Sequence, residues 1–528
     1  MTDIAVRPSQ RPGQAARLPA PAGRPDLEGL AYQVGLALVL GAAVVLRFGA
    51  TSALWLDEAQ SVAIAKLPLT GSGPTLVGAL RQDGSPPLYY LLLHGWIGWF
   101  GTGGTAVRTL SALLNLVCLP PLYLLARRVV GRPAAWVTVV LFLTSPFALY
   151  FSTETRMYSL LVLLTALGGL ALERTLRMPS VGSVGAFALC CGLLALTHYW
   201  CLYLLMAVGV WLAVASVRGS RQRSARRALA GLALGALVFA PWLPVFVLQL
   251  RHTGTPWGEP ASFAAVVHAY GEWAGGPTTP GRALLILITA LVAFGVAGRP
   301  LAARQIVLDL RGHEPGRSLF LLATGTLALA VAVGQLVGNA WADRYTATAF
   351  VPFLLVVALG TRALAGRRTF RGVVAVVTVL GLVSGFGEVR VDRTQAREVA
   401  HALQRTARPG DVLLVCPDQL GPGLVREVPS WLRVRAVPTY GPADRVDWVD
   451  YERRNAGADG AAVADRALAE AGSGHTVFLA ASGSYRTYET LCVQVRSRLQ
   501  ERRPGADQLV APRDKVYEHY ELDRFAVR

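Results

Sequence analysis

Long apolar runs, separated by short polar loops, occupy the chain from about residue 30 to about residue 387. A bilayer crossing takes roughly 20 consecutive apolar residues, and about eleven runs approach that length. They lie at 30–49, 107–126, 134–150, 157–172, 183–198, 200–216, 229–248, 283–298, 318–338, 346–364 and 371–387. A twelfth apolar stretch, Pro86–Phe100 (PPLYYLLLHGWIGWF), is different. As a helix it rises only about 22 Å, short of the hydrocarbon thickness of about 30 Å. Counting it as a crossing would invert everything after it and turn Arg127, Arg128, Arg132, Arg218, Arg221, Arg223, Arg226 and Arg227 outward. Left out, it places those arginines in the cytoplasm with Arg299, Arg304, Arg311, Arg317, Arg362, Arg367, Arg368 and Arg371, as the positive-inside rule requires. The stretch therefore reads as a helix in the outer interface, where Tyr89, Tyr90, Trp96 and Trp99 suit the headgroup layer.

Outside the apolar region the pattern changes. Residues 1–29, rich in Pro, Ala and Arg, read as a disordered cytoplasmic tail rather than a cleaved signal peptide. From about residue 388, REVAHALQRTARPGD reads as an amphipathic helix with a Pro-Gly stop, and VLLVCP as a strand. HTVFLAAS and TYETLCVQVRSRLQERR repeat the strand and helix signals. The expected architecture is an all-α polytopic membrane domain over 30–387, with interfacial helices, followed by an extracytoplasmic α/β domain over 388–528. The N-terminus is expected inside and the C-terminus outside.

Composition agrees with this division. The chain is 53% hydrophobic and 16% charged, a membrane composition. Its net charge of +18 does not point to nucleic acid, because the excess lies in the short loops between apolar runs and residues 388–528 are near neutral. Cys118, Cys190, Cys191 and Cys201 fall in or beside apolar runs, as small core residues. Cys416 and Cys492 fall in the outer domain, where they form either a disulfide or two buried thiols.

Threading the runs gathers Asp57, Glu58, Asp83, Glu154, Glu259, Glu272 and Asp343 on the outer side, opposite most arginines. Asp57 and Glu58 follow the first run in Leu54-Trp55-Leu56-Asp57-Glu58-Ala59-Gln60-Ser61. A carboxylate held there can take the proton of an attacking hydroxyl, whereas the bland alternative for Asp57 is a helix cap. Asp83-Gly84-Ser85-Pro86-Pro87-Leu88-Tyr89-Tyr90 opens the interfacial helix, which Asp83 could equally cap. Glu154-Thr155-Arg156-Met157-Tyr158 lies at an outer turn. There Arg156 is either half of an ion pair with Glu154 or a phosphate ligand for which its planar fork is suited. Arg344-Tyr345 offers a second phosphate site, and His198-Tyr199-Trp200 an aromatic outer turn. The loop 249–282, with His252, Trp257, Glu259, His268, Glu272 and Trp273, is either a substrate flap or an interfacial segment. Outer acids and histidines also leave room for a divalent ion.

These pieces, with Arg108-Thr109-Leu110-Ser111 and in this order, resemble a GT-C glycosyltransferase. More narrowly they are similar to bacterial relatives of the polyprenyl-phosphate-mannose protein mannosyltransferases and the lipid A aminoarabinose transferase, over roughly residues 30–365. The resemblance implies a sugar donor carried on polyprenyl phosphate and an outer acceptor that is a glycan, lipid or protein. It makes Asp57 the base with Glu58 its neighbour. Arg156, Arg344, Tyr345, Tyr158 and Glu154 fall on the donor phosphate side, and Asp83, Tyr89 and His198 on the acceptor side. The competing class is a transporter or a lipid- or sugar-binding membrane protein. Transporters place ionisable residues at mid-membrane in repeated halves, and neither feature is visible here.

Overall fold

In a computed structural model the described residues are 27–218, 221–254, 259–302, 305–337, 340–364, 366–483 and 489–527. The expected tail falls mostly outside them. Among the described residues, nine helices are long and apolar enough to cross a membrane, and one bent pair adds a tenth. The protein is a multi-pass membrane protein. Nine of the eleven expected crossings correspond to these nine helices; the other two do not.

The first exception, expected at 134–150, is two helices, Arg132–Thr144 and Pro146–Ser152, meeting at 56°. Pro146 has no amide hydrogen and cannot continue the helix. The Ser145 hydroxyl accepts from Ala148 N instead, so the chain starts a new helix at the bend. The last membrane helix, Arg367–Arg390, packs into the bend. A Cβ on its Gly381 would lie 2.6 Å from the Thr144 carbonyl oxygen, so only glycine fits. The bend delivers Glu154, Thr155 and Arg156 inward.

The second exception, expected at 183–198, is the 15-residue helix Val181–Ala195. Shorter than the other spans, it nevertheless returns the chain to the level of the site. Tyr158–Arg177 leads away from the site, yet His198 is back beside it, its ring 4.8 Å from Tyr345.

The stretch read as interfacial is the helix Leu88–Phe100, and it does not cross. At its start Tyr90 donates to Asp83 (2.8 Å). Beyond its end Arg108 meets Glu58 at 2.6 Å. Both ends therefore lie at the same level, with Tyr89, Tyr90 and Leu93 buried and Trp99 exposed.

The C-terminal region carries a five-stranded mixed sheet: β1 (Val412–Cys416), β2 (Arg433–Ala436), β3 (Val477–Ala481), β4 (Asp507–Val510) and β5 (Glu521–Phe525), in the order β2-β1-β3-β5-β4. β1 runs parallel to β2 and β3, and β5 antiparallel to β3 and β4. Every residue of β1 and β3 is buried, as central strands covered on both faces must be. Val412 and Leu414 point into one core, and Leu413 and Val415 into the other, following the two-residue strand period. Cys416 and Cys492 are joined by a disulfide that ties the end of β1 to the helix Glu489–Arg502.

Candidate active site

The loop after the first membrane helix is built around the helix Leu56–Ala65, which carries Asp57 and Glu58 on adjacent positions. Adjacent helical residues are about 100° apart around the axis, so the two carboxylates point in different directions. Asp57 does not cap the helix. Trp55 occupies the N-cap and makes no side-chain cap bond.

Asp57 turns toward a cavity of about 410 Å³ lined by Gln60, Asp83, Ser85, Arg156, Arg344 and Tyr345, among others. Its Oδ2 lies 3.8 Å from Arg156 Nε and 3.4 Å from Arg344 Nη2. These are ion pairs longer than the 2.7–2.9 Å of a charge-assisted hydrogen bond. Among the described residues, Asp57 Oδ2 and Arg156 Nε have no hydrogen-bond partner. Arg156 is instead held by Ser61 Oγ at 3.0 Å and Tyr90 Oη at 3.3 Å. The Arg344 guanidinium sits 5.6 Å over the Trp55 ring and 5.5 Å over Tyr345, a stacked arrangement available to a planar cation. Two guanidiniums from distant parts of the chain thus meet at one carboxylate.

Glu58 turns the opposite way, into the protein, and is wholly buried. Arg108 engages it bidentately, Nε to Oε1 at 2.8 Å and Nη2 to Oε2 at 2.6 Å. Thr155 N donates to it at 2.9 Å and Arg393 lies 3.7 Å away. Burial opposes its charge, but Arg108 and then Arg393 outweigh burial and hold the carboxyl below its ordinary range. Glu58 does not line the cavity. It fastens the first loop to the helix Gly104–Val117 and to the turn carrying Arg156.

Glu154 accepts from Trp55 Nε1 at 3.0 Å and makes no ion pair with Arg156 within 4 Å among the described residues. Burial pushes its carboxyl up to about 7 against the pull of Arg393. His198 lines the cavity, and its Nδ1 accepts from Trp200 N at 3.2 Å. Burial, reinforced by Arg156 and Arg344, lowers its pKa to about 3 and keeps the ring neutral. Asp83 accepts from Gln60 (3.1 Å) and Tyr90 (2.8 Å) rather than capping the helix that follows. Tyr89 bonds Ser111 at 3.3 Å, and neither Tyr89 nor the buried Tyr158 lines the cavity.

The loop 249–282 is largely helix among its described residues. Leu243–His252 extends the preceding span, and Phe263–Ala274 packs through Trp273 Nε1 onto Thr346 Oγ1 (2.9 Å). His268 and Asp343 pair at 2.7 Å. Trp257 and the Glu259 side chain lie outside the described residues. No group of three or more His, Cys, Asp or Glu among the described residues is arranged to hold a metal ion.

Sequence reasoning missed several residues that complete the site. Gln60 and Gln249 line the cavity with Trp448, which comes from the C-terminal region. Arg393 donates to Thr153 O (3.0 Å) and Oγ1 (2.7 Å) and lies over the Tyr150 ring at 4.3 Å, fixing the Glu154 turn. Glu518 accepts from Leu56 N at 2.8 Å, at the first residue of the Asp57 helix. Only the Gln60 position lay inside a motif quoted from the sequence.

Residues 84–244 match the family described as dolichyl-phosphate-mannose-protein mannosyltransferase. Two crystal structures of ArnT from Cupriavidus metallidurans share the fold. The structure bound to undecaprenyl phosphate superposes with a TM-score of 0.55 at 14% identity, covering 94% of this chain and 98% of that one. The apo structure gives 0.56 at 13% identity, covering 94% and 99%. Comparison with curated proteins gives no match. The chain has the GT-C fold that the sequence motifs suggested.

Proposed function

We propose that this protein is an integral-membrane glycosyltransferase that moves a sugar from a polyprenyl-phosphate-linked donor to a hydroxyl of an extracytoplasmic acceptor. The observation that carries this reading is the meeting of Asp57 with Arg156 and Arg344 in a cavity bounded by membrane helices. A phosphate arriving there competes with Asp57 for both guanidiniums. Each arginine drawn to phosphate leaves the carboxylate freer to accept a proton. The acceptor hydroxyl gives its proton to Asp57 as its oxygen bonds to the anomeric carbon. The bond from that carbon to the phosphate oxygen breaks, and the electron pair leaves on polyprenyl phosphate. Arg156 and Arg344 stabilise the charge as it grows. One displacement inverts the anomeric carbon.

The donor class draws on the similarity to an ArnT that binds undecaprenyl phosphate and to the mannosyltransferase family over 84–244. Cavity residues from the membrane helices, including Leu202, Tyr203, Phe246 and Val333, give a polyprenyl chain an apolar wall. Tyr345 flanks the phosphate side, and His198, expected on the acceptor side, packs against it there at 4.8 Å. Glu58 and Glu154 act by position, and Asp83 and Tyr89 shape the acceptor side.

The N-terminus is placed in the cytoplasm and the C-terminal region outside. A membrane-impermeant thiol reagent should modify a cysteine at Arg81 in intact cells and one at Arg223 only after lysis. The reverse pattern overturns the orientation. For the chemistry, Asp57→Asn should bind undecaprenyl phosphate yet fail to transfer sugar from a lipid-phosphate donor. Undiminished transfer by the folded variant removes Asp57 as base.

A further inference from the structure

The segment 446–450 of the C-terminal region reaches the cavity through Trp448 and is fastened on both edges. On one edge Val446 exchanges two hydrogen bonds with the Gln60 side chain, N to Oε1 at 3.0 Å and O from Nε2 at 2.9 Å. Trp448 N donates to Gln82 O at 2.9 Å, and Asp450 N to His252 O at 2.7 Å. On the other edge Arg454 binds the carbonyls of Asp447 and Val449, the latter at 2.9 Å. Even-numbered residues face the membrane region and odd-numbered carbonyls face away, the alternation of an extended strand. Asp450 ends the segment at φ +49°, a left-handed conformation uncommon outside glycine. A segment held on both sides in this way keeps its cavity-lining residue, Trp448, in place.

The segment carries one aromatic side chain. Trp448 lines the cavity with Asp57, Gln60, Asp83 and Ser85, while its ring also packs on Tyr451 at a centroid distance of 4.6 Å. It is 9% exposed, so packing fixes the ring. The membrane helices supply apolar lining, and the segment adds an indole beside carboxylates and a hydroxyl. Flat aromatic rings next to a few placed polar groups suit a ligand with one apolar face and several hydroxyls. We infer that segment 446–450 forms the acceptor subsite, with Trp448 packing against the ring face of an acceptor sugar whose hydroxyl is presented to Asp57. The inference rests on the transferase reading, and it gives the C-terminal region a direct part in the site.

The test uses the full chain in lipid nanodiscs. Saturation-transfer NMR reads binding of methyl mannopyranoside, methyl glucopyranoside and methyl arabinofuranoside. A separate titration reads undecaprenyl phosphate. Wild type should show transfer to at least one glycoside. W448L should lose it at least about fivefold and W448F keep it within about twofold, with undecaprenyl phosphate affinity within twofold in both. Equal thermal midpoints show that the variants are folded. A signal unchanged in W448L overturns the subsite, as does a wild type that binds no glycoside. So does a parallel loss of undecaprenyl phosphate, which would assign Trp448 to the donor or to the fold. Trp448-dependent glycoside binding without undecaprenyl phosphate binding would keep the subsite and reject the transferase reading.

Discussion

Asp57 and Glu58 are neighbours in sequence and opposites in surroundings. Glu58 is wholly buried and saturated by a bidentate arginine at 2.6 and 2.8 Å, a backbone amide, and a second arginine. Asp57 faces a cavity between two guanidiniums at 3.4 and 3.8 Å, and its Oδ2 lacks a hydrogen bond among the described residues. A buried charge is tolerable when geometry and hydrogen bonds offset its desolvation, and Glu58 meets that condition. Asp57 meets it only loosely, which suits a group whose partners must change during a reaction. On the proposed function, helical geometry gives one of these two adjacent carboxylates to chemistry and the other to construction.

The sharpest way to break this contrast is Asp57→Asn. Transfer from a lipid-phosphate donor should fall about 10³-fold in kcat, while the thermal midpoint stays within a few degrees of wild type. A fall in stability with activity kept would exchange the two roles. Next comes Glu58→Gln, which leaves Arg108 and Arg393 facing a neutral amide in a sealed site. Breaking a buried pair typically costs about 3–5 kcal/mol, so the variant should express poorly and unfold early. Whatever folds should bind undecaprenyl phosphate normally. Arg344→Ala should lower kcat about 10²-fold by removing stabilisation of the leaving phosphate. Arg344→Lys should recover part of this, since a point charge replaces a fork. Initial rates at saturating donor check both.

The smallest effect belongs to Glu154, whose folded carboxyl titrates near 7 against an ordinary 4.5. The folded state then binds the proton more tightly than the unfolded one. That stability is full below about pH 4.5, fades as pH rises, and is gone above about 7. The shift corresponds to at most about 3 kcal/mol. Relative to Glu154→Gln, wild type should therefore lose thermal stability between pH 5 and 8. A constant difference across that range would place the titration elsewhere.

Much of this was legible in the sequence, and the gaps have a common cause. Hydropathy located the nine long apolar helices and the bent pair, and length set the short helix Leu88–Phe100 apart from them. Apolar length and arginine position are local properties, and a single sequence records them. The amphipathic pattern from 396 and the runs VLLVC and VFLAA became Ala396–Thr406, β1 and β3. Strands β2, β4 and β5 went unread because RVRA, DQLV and ELDRF are short and charged, and they pair at or near the sheet edge. Ser145-Pro146 signals a break, but not the 56° turn that brings Arg156 inward. Partner choice was least visible. Nothing near Glu58 names Arg108, and nothing near Gln60 names Val446, because tertiary packing selects those pairs. Arg393 and Trp448 were missed for the same reason.

The bond from Leu56 N to Glu518 spans 462 residues of chain. Synthesis proceeds at about 5–20 residues per second, so the loop that carries Asp57 emerges roughly half a minute to a minute and a half before that partner exists. Through that interval Asp57 stands on a helix whose first amide and flanking aromatic await Glu518 and Tyr517. On the proposed function, the surroundings of the general base are completed only once residue 518 has been made.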